Sequence, residues 1–272
     1  MILPNSLFCL GHIANLRHGP NWLEAQGEKF TLYRFDDEID YERSTLPRTL
    51  VLIEQHGLLW VYREGLTMPE IPVFPVFTDT WPSSLIQYEY NAPFKVVMEN
   101  LYDLNHVGGT HRTTSLAQEL RVENFQARGL EAEYDLVSTL AERAGNWREW
   151  LLLKIVRLIY RGEPFTQHVK LLFPGILVFD DSNAKRKGLR SFSIISIYPI
   201  NDTRTRIVAC GIIGTNWLIQ KILALLSLKR NQAVFAEDKA ILETLYLEYP
   251  RKIHLKADTP VDYARELYTE HT

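Results

Sequence analysis

Asp238 is the residue that most narrows what this chain can become. The run Asn231–Tyr246, NQAVFAEDKAILETLY, has helical periodicity. With Asp238 set at zero and about 100° per residue, Val234, Phe235, Ile241, Leu242 and Leu245 lie at about −40°, +60°, −60°, +40° and −20°. Asp238 therefore stands in the middle of the apolar stripe, with Glu237 and Lys239 beyond its edges. A carboxylate aimed into a core is costly unless it is hydrogen-bonded, paired or bound to a metal. The helix alone leaves those open, because a protonated or salt-bridged core aspartate fits the same wheel.

A second stretch supplies possible company for it. Phe94–His111, FKVVMENLYDLNHVGGTH, reads as one helix that carries Glu99, Tyr102, Asp103 and His106 on one face and Val97, Leu101 and Leu104 on the other. His111 follows His106 by five residues, about 140° round an unbroken helix. Gly108-Gly109 lies between them, and paired glycines are where a helix bends or stops, which lets the two imidazoles converge. Two imidazoles and a carboxylate with open positions suit non-haem Fe(II) and O2 chemistry. Zinc with a bound water uses the same ligands, so the donor set leaves the metal open. Asp103, one turn ahead of His106, is expected to accept the ring N–H of His106 and orient the imidazole.

These residues also carry a family resemblance. Glu99–His106, ENLYDLNH, followed by four residues and His111, resembles the mononuclear iron segment of the α subunits of Rieske-type non-haem iron oxygenases. Phe235–Ile241, FAEDKAI, is similar to the later segment that supplies the carboxylate in that family. Pro47–Pro75, with GLLWVY at Gly57–Tyr62, resembles the connection between the Rieske and catalytic domains. The resemblance implies that His106, His111 and Asp238 are the Fe(II) ligands and that Asn100 is an amide close to the iron. It implies that Asp103 bridges across a subunit boundary to a neighbouring Rieske cluster. It further implies oxygenation (hydroxylation or demethylation) of an aromatic or other hydrophobic substrate with O2, electrons from a reductase or ferredoxin, and a homo-oligomer, a ring of three.

One part of the family pattern is incomplete. A Rieske [2Fe–2S] cluster takes a Cys-x-His and a later Cys-x2-His, whereas this chain has two cysteines, Cys9 and Cys210. Cys9-Leu10-Gly11-His12 has the spacing of the second half, so Cys9 and His12 stand as a half Rieske site. Half a site cannot hold the cluster. The chain is therefore read as an oxygenase chain, truncated or altered at its start, whose electrons come from a centre not complete within it. Two other readings remain open. One is a non-catalytic helix-grip module for a hydrophobic ligand; the other is a zinc hydrolase with Glu99 as the nearby base.

Composition removes other classes. A net charge of −3 with charges spread along the length offers no basic stripe for nucleic acid. Two widely separated cysteines make no disulfide framework, which fits a cytoplasmic compartment. Met1–Leu16 has no basic start, and Pro4-Asn5 interrupts it, against a signal peptide. No apolar run approaches the roughly 20 residues of a membrane span, so an integral membrane protein is not expected.

In organisation, residues 1–75 read as a truncated Rieske-like β region and its connector, and residues 76–272 as the iron-binding catalytic domain. Met68–Pro82, with four prolines, is the stiff connector between them. Phe30–Phe35, Thr49–Glu54, Leu58–Tyr62 and Ser84–Tyr90 read as strands, as do Leu120–Phe125, Leu130–Thr139, Val169–Phe179, Ser191–Tyr198 and Arg204–Ile213. Asn201-Asp202 is a hairpin turn. Trp147–Tyr160, Trp217–Leu228, Asn231–Tyr246 and Val261–Tyr268 read as helices. The pattern is α+β, compatible with the family's helix-grip domain, a curved antiparallel sheet against a long C-terminal helix. Trp147–Tyr160 and Trp217–Leu228 are apolar with interspersed basic residues. That pattern suits a core, an oligomer interface or a membrane surface alike.

Overall fold

Short apolar runs bounded by turn formers build strands, and the computed structural model of the chain shows thirteen of them among the described residues. The structure describes residues 7–36, 38–55, 57–64, 71–72, 84–104, 106, 111, 117–142, 147–160, 165–181, 190–214, 217–244 and 258–271. The first six strands are β1 (Phe8–His12), β2 (Gly19–Ala25), β3 (Glu28–Phe35), β4 (Glu38–Thr45), β5 (Leu50–Gln55) and β6 (Leu58–Arg63). They make two three-stranded sheets, β1-β6-β5 and β2-β3-β4. Residues 1–45, which look poor in periodicity, thus hold four strands rather than one. Gln26 and Gly27, both at positive φ, turn the chain tightly enough to pair β2 with β3.

The next seven strands are β7 (Ser84–Tyr90), β8 (Ala117–Arg128), β9 (Glu131–Leu140), β10 (Phe165–Leu172), β11 (Ile176–Asp180), β12 (Arg190–Asn201) and β13 (Arg204–Gly214). They form one antiparallel sheet in the order β7-β13-β12-β11-β10-β9-β8. Among the described residues, four helices with assigned bounds accompany it: α1 (Phe94–Tyr102), α2 (Trp147–Tyr160), α3 (Trp217–Leu242) and α4 (Thr259–His271).

Side chains alternate across a strand, so each face of the large sheet has its own work. On β12 the even residues Phe192, Ile194, Ser196 and Tyr198 are buried. Ser196 Oγ accepts the Cys9 backbone N–H at 2.9 Å, so the N-terminal strands cover that face. The backbone N–H groups of Gln26 and Gly27 donate to the carbonyls of Pro199 and Ile200, and Phe8 packs on both Phe94 and Tyr198. One continuous buried core results, running from Phe8 and Trp60 to Tyr268. Ser191, Ser193 and Ile195 of β12 look the other way, into a cavity roofed by α2 and α3.

Three elements depart from the sequence reading. Val169–Phe179 is two strands, because Phe173-Pro174-Gly175 reverses the chain between β10 and β11. Pro174 has no N–H to give a ladder, and a Cβ at Gly175 would stand 2.4 Å from the Ile197 carbonyl oxygen. Trp217–Leu228 and Asn231–Tyr246 are one helix to Leu242, since Lys229-Arg230 contains nothing that breaks a turn. The segment from Phe94 leaves the helix at Tyr102, where Asp103 takes an extended conformation. Gly108-Gly109, most of Met68–Pro82 and the end of the run at Leu245-Tyr246 lie outside the described residues.

Candidate metal centre

The early end of α1 changes which side chains share a face. Asp103, with ψ of 95°, turns the chain so that His106 no longer continues the side of Glu99 and Tyr102. Glu99 instead receives Arg265 of α4 at 2.5 Å, and the Tyr102 hydroxyl, fully buried, donates to the Pro174 carbonyl. The residues that line the cavity beside the imidazoles are Val97, Asn100, Leu101 and Leu104. The face expected to be opposite the histidines is therefore the one that joins them.

His106, His111 and Asp238 meet, with one possible ligand atom from each lying within 4.8 Å of the others. Asp238 Oδ1 stands 3.1 Å from His111 Nε2 and 3.7 Å from His106 Nε2. The two rings are 5.2 Å apart between centroids and nearly perpendicular at 76°. Asp238 and His111 are buried, and His106 is close to it.

The far nitrogen of each ring dictates what the near one offers. His106 Nδ1 is bonded to the main-chain carbonyl of Asp103. That carbonyl can only accept, so Nδ1 carries the proton. The orienting acceptor is thus Asp103's backbone, not the carboxylate that the sequence suggested. His111 Nδ1 is 2.8 Å from Glu237 Oε2, again an acceptor. In both neutral rings the lone pair sits on Nε2, and both lone pairs face a carboxylate oxygen. Neither His111 Nε2 nor Asp238 Oδ1 has a hydrogen-bond partner among the described residues, although each is shut away from water. Their 3.1 Å separation has the length of a hydrogen bond without its angle. Three electron-rich atoms aimed at one another repel unless a cation lies among them.

The electrostatics show the same strain. Burial lowers the His106 pKa, and the nearby Asp238 carboxylate does not reverse this. His111 is also penalised by burial, but Asp238 and Glu237 together raise its pKa above the ordinary value. In the absence of an ion, a proton on His111 is the nearest remedy for the crowding.

Glu237 is the participant that the sequence reading missed. The helical wheel put it at the edge of the stripe, where acids are usually solvated. The ring it serves approaches from a separate segment, which no wheel displays.

α3 lays a single stripe along the cavity: Leu223, Ser227, Arg230, Asn231, Val234, Phe235 and Asp238, at helical spacing. The cavity has a volume of about 450 Å3. Its apolar walls come from α1, from α2 at Leu152 and Val156, and from the sheet, as at Ile86, Leu136 and Ile207. Cys210 is also on the wall, its thiol pushed up to about 12 by burial. Cys9 is a buried thiol near Cys210, and its pKa is likewise raised by burial. His12 Nδ1 accepts the Ala14 N–H at 3.0 Å and caps a short 3-10 turn. Among the described residues no third histidine, cysteine or acid joins Cys9 and His12 as a metal-type cluster.

Residues 90–270 match the family described as the vanillate O-demethylase oxygenase C-terminal domain. Among solved structures, dicamba monooxygenase bound to dicamba is similar at a TM-score of 0.72 and 15% identity, covering 98% of this chain and 97% of that one. Dicamba monooxygenase with non-haem iron and dicamba gives 0.67 at 13% identity, with 99% and 97% covered. NdmA of Pseudomonas putida CBB5 with caffeine gives 0.64 at 15% identity, with 96% and 89% covered. At these identities the likeness is one of fold. No curated protein matches the chain.

Proposed function

The chain belongs to the vanillate O-demethylase oxygenase C-terminal domain family, the catalytic domain of Rieske-type oxygenases, and from that premise we propose that it oxygenates a small hydrophobic or aromatic substrate at one Fe(II) held by His106, His111 and Asp238. The observation that carries this reading is the set of three converging lone pairs. Each imidazole is locked into the Nε2-ligating tautomer by an acceptor on Nδ1, and the facing carboxylate oxygen is buried without a hydrogen bond. The donor set fits the group. Two neutral imidazoles and one carboxylate are the ligands that leave a ferrous ion open positions, and iron there supplies the centre for O2 activation.

The chain's own residues prepare that centre. Glu237 and the Asp103 carbonyl hold the rings in orientation and raise their basicity as ligands. Val97, Leu101, Leu104 and the sheet wall exclude water and favour an apolar ring, while Asn100 offers an amide from the same wall. Dicamba and caffeine, bound by the similar structures, are compact ring compounds. A cavity of about 450 Å3 is of the size that takes such ligands.

We assign the electrons to a Rieske [2Fe–2S] centre, fed by a reductase or ferredoxin and relayed past Asp103 from a neighbouring subunit of a ring-shaped oligomer. Cys9 and His12 do not fit a complete cluster, because the Cys9 thiol is buried and the His12 Nδ1 lone pair already accepts from Ala14. No step is assigned to them.

Anaerobic titration of the purified chain with Fe(II), followed by metal analysis, tests the site. The expected result is about one equivalent in wild type and under a tenth of that in His106→Ala and Asp238→Ala, with unchanged circular dichroism. Equal iron in all three, or a stoichiometric ion other than iron in wild type, overturns the reading.

A further inference from the structure

The two helices that roof the cavity also have an outward face. On α2, Trp147, Trp150 and Leu158 are 67%, 54% and 80% exposed, and on the first half of α3 Ile222 and Leu225 are 43% and 59% exposed. Large exposed apolar side chains grouped on one helix pair, among polar residues, are the pattern of an interaction surface rather than of singly scattered hydrophobics. The charged side chains exposed among them are Arg148, Lys154, Lys221 and Lys229, all cationic. Glu149, the one acid in α2 and in residues 217–236, is buried at 5% exposure, beside Arg230. This face is therefore basic on a chain whose net charge is −3.

The arrangement of these residues is that of side chains placed at a headgroup layer. The Arg148 guanidinium lies over the Trp147 ring at 5.4 Å, and the Lys154 ammonium over Trp150 at 5.6 Å. Tryptophan and basic side chains pair an apolar body with a polar end, which suits the boundary between acyl chains and phosphates. Beneath this face is a cleft of about 240 Å3 between the helices, with Trp147, Arg148 and Lys229 on its wall. Leu152 and Arg230 line both this cleft and the main cavity, so the two adjoin. Among the described residues no helix is long and apolar enough to cross a membrane.

We propose that the outer face of α2 and the first half of α3 docks on the surface of an anionic lipid bilayer, which sets the cleft above the cavity against the membrane. The occupant follows from charge complementarity: an exposed face with apolar side chains and only basic charges matches a layer that is apolar below and anionic above. Docking stands on surface chemistry and does not depend on the identity of the metal.

Sedimentation of the full chain with unilamellar vesicles tests it. Phosphatidylcholine vesicles with and without phosphatidylglycerol are compared at low and high salt. Each basic side chain near an anionic surface contributes about fivefold to partitioning. The expected result is salt-sensitive binding to the anionic vesicles that Lys154→Glu/Lys221→Glu lowers by about 25-fold or more. Trp150→Ser/Leu225→Ser is expected to abolish what binding remains at high salt. Both variants change exposed side chains away from the cleft, and their iron content should equal that of wild type. The proposal is overturned by equal binding to neutral and anionic vesicles, by no binding, or by variants that bind as wild type does. It is also overturned if the vesicle-free chain is an oligomer that Trp150→Ser/Leu225→Ser takes apart, because a second copy then covers the face. Failure of the iron reading is read separately, from the metal content of the same samples.

Discussion

Two buried histidine environments in this molecule use the same side chain for opposite ends. In the N-terminal β region, His12 Nδ1 accepts the Ala14 N–H, so the neutral ring keeps its proton on Nε2 and its lone pair is spent on a turn. In the cavity, His106 and His111 give their Nδ1 protons to Asp103 O and Glu237, and their Nε2 lone pairs are left facing Asp238. In the first environment the ring's one lone pair is used within the fold. In the second the His111 Nε2 lone pair faces Asp238 Oδ1 and meets no donor among the described residues. Which lone pair a buried imidazole leaves bare thus depends on what its other nitrogen meets, which is a fact about neighbours rather than about the residue.

That contrast can be broken most sharply at Asp238. Asp238→Ala is expected to weaken Fe(II) binding by more than about 100-fold, roughly 3 kcal/mol. The same change should leave the metal-free protein as stable as before, or more stable, because it removes a buried oxygen with no partner. Anaerobic calorimetry and urea unfolding of the apo-protein read the two effects. A large loss of apo stability would mean that Asp238 is a satisfied core group rather than a ligand.

Glu237 sharpens the comparison at the next level. Glu237→Ala is expected to cost 10- to 100-fold in iron affinity, and Glu237→Gln, which keeps an acceptor oxygen, should recover most of it. An unaffected affinity in both variants would detach Glu237 from the centre.

The reverse pattern is expected at His12. His12→Ala removes a capping acceptor and should cost about 1–2 kcal/mol of stability with no change in iron content. Urea midpoints and metal analysis of one preparation give both numbers.

The smallest effect is a pH dependence. Burial, and then the Arg34 charge, lower the His12 pKa in the folded state. The unfolded chain therefore binds the proton more readily, so stability is lost as pH falls through about 6.5 toward the lowered value, and is retained above it. The difference in urea midpoint between wild type and His12→Gln should shrink on going from pH 8 to pH 5. A difference that grows with acidity would show that His12 gains a proton on folding.

Much of this was legible in the residues. The strand Ser84–Tyr90 and helix α2 stand where their patterns place them, because alternation and 3.6-residue spacing report burial directly. Asp238 was conspicuous as a charge in an apolar stripe, and the resemblance carried by the D-x2-H-x4-H run implied its partners. The cavity-facing side of α1 was not legible. A wheel assumes that the helix continues, and Asp103 ends it before His106, so the predicted faces were exchanged. The Val169–Phe179 run concealed a reversal for a related reason: the apolar pattern passes through Pro174-Gly175 while the backbone does not.

What the chain settled by itself is the presence of three ligand-type side chains, their order, and a helix that must bury one of them. Those follow from local periodicity and from the cost of a carboxylate in an apolar stripe. Tertiary structure alone decided which ring nitrogen is left bare, that Glu237 and a backbone carbonyl set it, and that α2 and α3 turn apolar and basic side chains outward. Such properties depend on groups that are distant along the chain, and a one-dimensional pattern contains no distance between them.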